Sequence, residues 1–176
     1  MKLFHGKKTS RGFTLAEIMT VLFITLLVLG MGIFNYHSGQ ETYNLNNAVN
    51  KLIANIRQAE HWSVVGKNYS GTFPKGGYGI YLTANNSSYI IFANNSTTTH
   101  SYGGAITPDI ETISLPKKVI IQSLTPVSPL NIVFQPPWPV VYVNNSTTTS
   151  ATITLKDTLT NKTKTITINN QGGINF

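Results

Sequence analysis

Hydrophobic and polar positions divide the chain into three regimes. Residues 18–34, IMTVLFITLLVLGMGIF, carry no charge, and Thr20 and Thr25 are their only polar side chains. Phe13, Thr14, Leu15 and Ala16 extend this run toward the ~20 residues of a membrane-spanning helix, provided Glu17 is tolerated near its start. From Glu41 onward, Leu45, Val49, Leu52, Ile53, Ile56 and Ala59 recur at spacings of three and four, with Asn47, Asn50, Lys51, Asn55 and Arg57 between them. That spacing predicts an amphipathic helix with one packing face. The polar, glycine-containing stretch 35–39 predicts a kink or a loosened turn, and Gly66 a C-terminal stop. A helix over residues 13–65 would be about 80 Å long at ~1.5 Å per residue.

Beyond Gly66 the period changes to two. GYGIYLTA and SYIIFA flank Asn85-Asn86-Ser87 and predict a hairpin with Ile80, Leu82, Ile90 and Phe92 on one face. ETISL, KVIIQSL, NIVFQ, PVVYV, ATITLK and KTITIN follow between Asn, Gly, Ser, Thr and Pro clusters, and the prolines around Trp138 predict a rigid turn. The predicted fold is α+β: a long N-terminal transmembrane and amphipathic helix packed on an antiparallel β-sheet or small β-sandwich head. Its segments are 1–12, 13–34, 35–66 and a β-rich 67–176.

Charge changes this picture little. The net charge is +7, but four of the 13 basic residues, Lys2, Lys7, Lys8 and Arg11, precede the apolar run. The remaining nine stand against six acids, an ordinary solvated surface. The leading cluster does set orientation: the positive-inside rule places the N-terminus in the cytoplasm and everything after Phe34 across the membrane. Cysteine is absent, which removes disulfides, thiol nucleophiles and Cys-ligated zinc. A secretory leader would have a shorter apolar core and a small-x-small cleavage site, and GIFNYHSGQ is a poor one. A plain anchor has no use for Glu17, since an unpaired acid costs about 2.5–3.5 kcal/mol at mid-membrane.

Arg11, Gly12, Phe13, Thr14, Leu15, Ala16 and Glu17 resemble the class III leader junction of type IV pilins and pseudopilins. The resemblance implies cleavage after Gly12 by prepilin peptidase and N-methylation of Phe13. It also implies that Glu17 meets the N-terminal ammonium of a neighbouring subunit. More loosely, KGGYGIYL, ISLPKKVII, NIVFQP and ITINNQGGI resemble GspH/FimT-type minor members in order, although Pro137-Trp138-Pro139 stands where those domains commonly place a glycine. The implied protein is a minor pilin or pseudopilin of a type IV pilus-like filament or type II secretion pseudopilus. It would cross the bacterial inner membrane once, with its head exported. Its partners would be prepilin peptidase, other pilins and the inner-membrane assembly platform.

No catalytic chemistry is expected. GxSxG, HExxH, phosphate-binding glycine loops and SxxK are missing, and GKNYSG at 66–71 reads as a loop. His5, His37, His61 and His100 share no metal-ligand spacing and read as solvated, while Asp109 and Glu111 fall short of a calcium shell. Neither a cofactor nor a metal is expected. NNSTTT occurs at 94–99 and again at 144–149 and reads as polar loops; the sequons at Asn68, Asn86, Asn95, Asn145 and Asn161 follow from composition. The alternative function is DNA capture by a FimT-like pilin in natural transformation. Lys156, Lys162 and Lys164 are its candidate nucleic-acid contacts. FimT-type DNA binders carry a Gly-Arg-x-Arg element near the C-terminus, whereas this chain ends NNQGGINF, so these lysines read better as solvating charges on an edge strand.

Overall fold

The computed structural model describes residues 12–103 and 106–176, with the backbone alone for residues 32–38. Residues 1–11, expected from the sequence to belong to a leader and including Arg11 and His5, and the His37 side chain lie outside the described residues.

One helix, α1 (Leu15–Val65), runs from the apolar segment into the amphipathic one, and its helical backbone continues through residues 35–39. It stops where the sequence predicts. Gly66 has φ +66°, and the Lys67 N–H donates to the Trp62 carbonyl at 3.1 Å, the closing bond of a Schellman cap. The chain forms two units, Met1–Gly39 and Gln40–Phe176.

Within Gln40–Phe176 the helix buries Leu45, Ala48, Val49, Leu52, Ile56 and Ala59, with Ile53 half-buried beside them. This is the predicted stripe, extended by Ala48. It packs on two antiparallel sheets. The first is formed by β1 (Gly77–Leu82), β2 (Ser88–Asn94), β3 (Asp109–Ser114), β5 (Leu130–Gln135) and β6 (Val140–Val143), in the order β3-β2-β1-β5-β6. The second holds β4 (Val119–Thr125), β7 (Ala151–Asp157), β8 (Thr163–Ile168) and β9 (Ile174–Asn175), in the order β4-β7-β8-β9. One apolar core joins the helix to both sheets: Leu52 and Ile56 from α1, Ile80, Ile91 and Ile132 from the first, and Ile121, Ile153 and Ile166 from the second.

The predicted face of the β1–β2 hairpin is corrected. Ile80 pairs with Ile91 and Leu82 with Tyr89, so Ile91 and Tyr89 face the core, and Ile90 and Phe92 face the other way. Asn85 adopts φ +61° in the connecting turn. The connection sets a register one residue from the predicted one, and a one-residue slip exchanges the two faces. Phe92 is still fully buried, beneath Tyr102 at 5.3 Å between ring centroids.

At the start of β1 the backbone itself demands glycine. Gly77 has φ +81°, and a Cβ there would lie 1.9 Å from the Phe134 carbonyl oxygen on the paired strand β5.

Candidate functional site

Gly12 and Phe13 precede the first helical residue, Leu15, with Phe13 exposed. Thr14 occupies the N-cap and Glu17 the third helical position. Glu17 Oε2 accepts from the Thr14 N–H and from the Thr14 hydroxyl, each at 2.8 Å, and the Thr14 Oγ1 accepts from the Glu17 N–H at 3.3 Å. This is a capping box, in which each residue satisfies the other's free backbone donor. The acid therefore has a partner within its own chain, one that T-x-x-E before an apolar run could have disclosed. Thr14 engages only one carboxylate oxygen.

Among the described residues, the helix beyond Glu17 is apolar on all sides as far as Met31, Thr20 and Thr25 apart. Met19, Val21, Leu22, Phe23, Leu26, Val28, Leu29 and Met31 are all exposed. The two threonines of this stretch are satisfied locally: the Thr20 hydroxyl donates to the Ala16 carbonyl at 2.8 Å and the Thr25 hydroxyl to the Val21 carbonyl at 2.7 Å. A helix that is apolar all round and has no unmet hydroxyl is suited to surroundings without water. Among the described residues no helix is long and apolar enough to cross a membrane. The uncharged run itself continues past Met31 to Phe34, into residues whose side chains lie outside the described set.

The three candidate lysines are not brought to one surface. Lys156 pairs with Thr163 and Lys164 with Leu155, so successive positions on the hairpin place the two lysines on opposite faces of the sheet. Lys162, in the intervening turn, donates from Nζ to the Thr42 hydroxyl on α1 at 2.9 Å.

The reading of His100 as solvated is corrected. The residue is buried, its ring stacks on Tyr142 at 3.5 Å between centroids, and Nε2 lies 2.9 Å from Gln135 Oε1. His61 is exposed. Among the described residues no three His, Cys, Asp or Glu side chains are grouped to hold a metal.

The two NNSTTT segments follow β2 and β6 as loops and fold alike. Ser96 Oγ accepts from the Thr98 and Thr99 N–H groups at 3.2 and 3.0 Å, and Ser146 Oγ from the Thr148 N–H at 3.3 Å and the Thr149 hydroxyl at 2.9 Å. They also meet, because the His100 N–H, just past the first repeat, donates to Asn145 Oδ1 in the second at 2.5 Å.

Residues 7–33 match the family model of the prokaryotic N-terminal methylation motif. The match spans Gly12, Phe13, Glu17 and most of the apolar run, and it supports a type IV pilin-like family. It points to a structural subunit assembled with other pilins rather than to an enzyme. No curated protein and no solved structure matches the chain significantly.

Proposed function

We propose that this protein is a minor pilin or pseudopilin of the GspH/FimT type, a subunit of a type IV pilus-like filament or type II secretion pseudopilus. The observation that carries the reading is the methylation-motif match over residues 7–33, followed by an apolar helix with no buried face of its own. In this reading residues 1–12 are the leader, 13–34 the membrane and filament-core helix, 35–66 the amphipathic helix and 67–176 the exported head. Cleavage after Gly12 by prepilin peptidase frees the Phe13 amine, which is then methylated. The helix waits in the inner membrane, N-terminus in the cytoplasm, and exchanges lipid for the apolar helices of neighbouring subunits on the assembly platform. Little apolar surface then faces water at any step.

Glu17 sets axial register by meeting a neighbour's N-terminal ammonium, and the carboxylate oxygen that Thr14 leaves open suits that contact. A buried pair of this kind is favourable only when both charges are buried together. The mass of the mature N-terminal peptide tests the processing step: it should correspond to Phe13 plus one methyl group. An intact Met1 or a start after Gly39 would reject it.

A further inference from the structure

The outer face of the four-stranded sheet is a grid of hydroxyl groups. On β7 and β8, Ala151, Ile153, Leu155, Ile166 and Ile168 belong to the core, so the residues that alternate with them face outward. Those outward positions include Thr152 and Thr154 on β7 and Thr165 and Thr167 on β8, and the register sets Thr154 beside Thr165 and Thr152 beside Thr167. β4 adds a third column. Its register shifts between Ile121 and Ser123, a bulge that takes Gln122 out of the pairing. Leu124 thereby still packs against the core, while Ser123 stands beside Thr154 and Thr125 beside Thr152. Hydroxyls in this grid recur at about 4.8 Å across the strands and about 6.8 Å along them. Ser123, Thr125 and Thr165 are exposed, and Thr152, Thr154 and Thr167 half-buried. Among the described residues, none of these hydroxyls is bonded within the protein.

Such a face is poorly suited to the usual partners. Nucleic acid and anionic lipid call for clustered cations, and the face has Lys156 alone, at its margin between Ile120 and Thr163. Asp157, the acid of β7, is buried on the other side of the sheet. Protein interfaces are anchored by Trp, Tyr or Arg, and a soluble sugar calls for a concave site with aromatic walls. β4, β7 and β8 contain none of those residues.

What the grid does offer is a neutral lattice of hydroxyls interleaved with threonine methyl groups, at two repeats close to those of the oxygen atoms on the prism faces of ice. The methyl groups restrict the orientation of the first water layer, and the hydroxyls beside them anchor that layer by hydrogen bonds. Water already placed in such a lattice loses little further freedom on joining a crystal. Charge complementarity agrees, since ice is uncharged and an ionised array would keep its own hydration shell. We propose that the Ser/Thr grid of β4, β7 and β8 is an ice-binding surface that orders water in register with a crystal face. This role goes beyond filament assembly and does not depend on it, because the grid belongs to the head alone.

The test uses the full chain in detergent micelles, mixed with a micelle-bound dye that ice rejects. As an ice front advances slowly through the solution, the wild type should enter the ice several-fold more than the dye. Thr154→Tyr and Thr165→Tyr keep strand-forming residues but raise a ring out of the grid. Both should be excluded as the dye is, while unfolding at the wild-type temperature by circular dichroism. Exclusion of the wild type from ice would overturn the proposal, as would undiminished entry of a folded Tyr variant. Retention of the wild type on crystalline cellulose or chitin without entry into ice would also overturn it and assign the grid to a solid polysaccharide. Should Thr154→Tyr not fold, Thr165→Tyr, at an exposed position of β8, decides together with the wild type.

Discussion

In the proposed function Glu17 combines a capping role with a register role, and substitution can separate the two. Its bonds to the Thr14 N–H and hydroxyl close the first turn of the apolar helix, and an amide at the same position closes a capping box equally well. In that proposal its charge is needed only for an ammonium on a neighbouring chain. Glu17→Gln should therefore keep the helix start and lose register, and Glu17→Ala should lose both. Incorporation into filaments should fall in both variants, while the head stays folded by circular dichroism. Normal incorporation of either variant would remove the register role. At the other end of the described chain, Asp157 shows how a buried acid remains ionised. Three donors converge on one of its oxygens, so its contribution to stability is present above the unfolded carboxylate range. That contribution is lost only as pH falls through its lowered folded value.

At the scale of elements, the junction of α1 with β1 includes a buried hydroxyl bonded to both. Ser63 Oγ donates to the Ala59 carbonyl at 3.1 Å and accepts the Tyr78 N–H of β1 at 2.9 Å, with Ser63 fully buried. Ser63→Ala leaves the Tyr78 N–H without this partner and should cost about 1–3 kcal/mol. A lowered denaturant midpoint at unchanged slope would confirm it. The elements themselves were legible because their signals are local: the three-and-four stripe of α1, Gly66 at its end, and the β-branched runs that became β1 to β8. The face of β2 was not, because the β1–β2 connection sets it and neighbouring apolar residues such as Ile90 and Ile91 fit either alternation. His100 was misread for a different reason: Gln135, Tyr142 and Asn145 lie 35 to 45 residues further along the chain, and no spacing rule announces such a contact. The N-terminal motif was legible since its chemistry sits within seven consecutive residues, whereas the lysines were scattered over two faces of a sheet by a register that composition does not encode.

At the scale of the molecule, the two units differ in what stabilises them. Every residue of the apolar core lies at or beyond Leu45, whereas the described apolar side chains of Met1–Gly39 are exposed. The unit Gln40–Phe176 therefore contains its own driving force for folding, and the exposed apolar stretch of the first unit suits an apolar environment supplied from outside, by lipid or by other helices. A chain begun at Gln40 should consequently fold without detergent, remain monomeric and unfold in one cooperative transition. Its new N-terminus is also acceptable to the helix. Glu41 would lie in the first turn, where an acid is favoured by the helix dipole, and its bond to Lys118 would be retained. Analytical ultracentrifugation and thermal unfolding followed by circular dichroism would measure this directly. The same chain should be excluded from filaments, since it lacks the surface through which neighbours would hold it. Aggregation or a non-cooperative transition of the Gln40 chain would instead mean that the first unit contributes to folding the head, and the division at Gly39 would not separate assembly from stability.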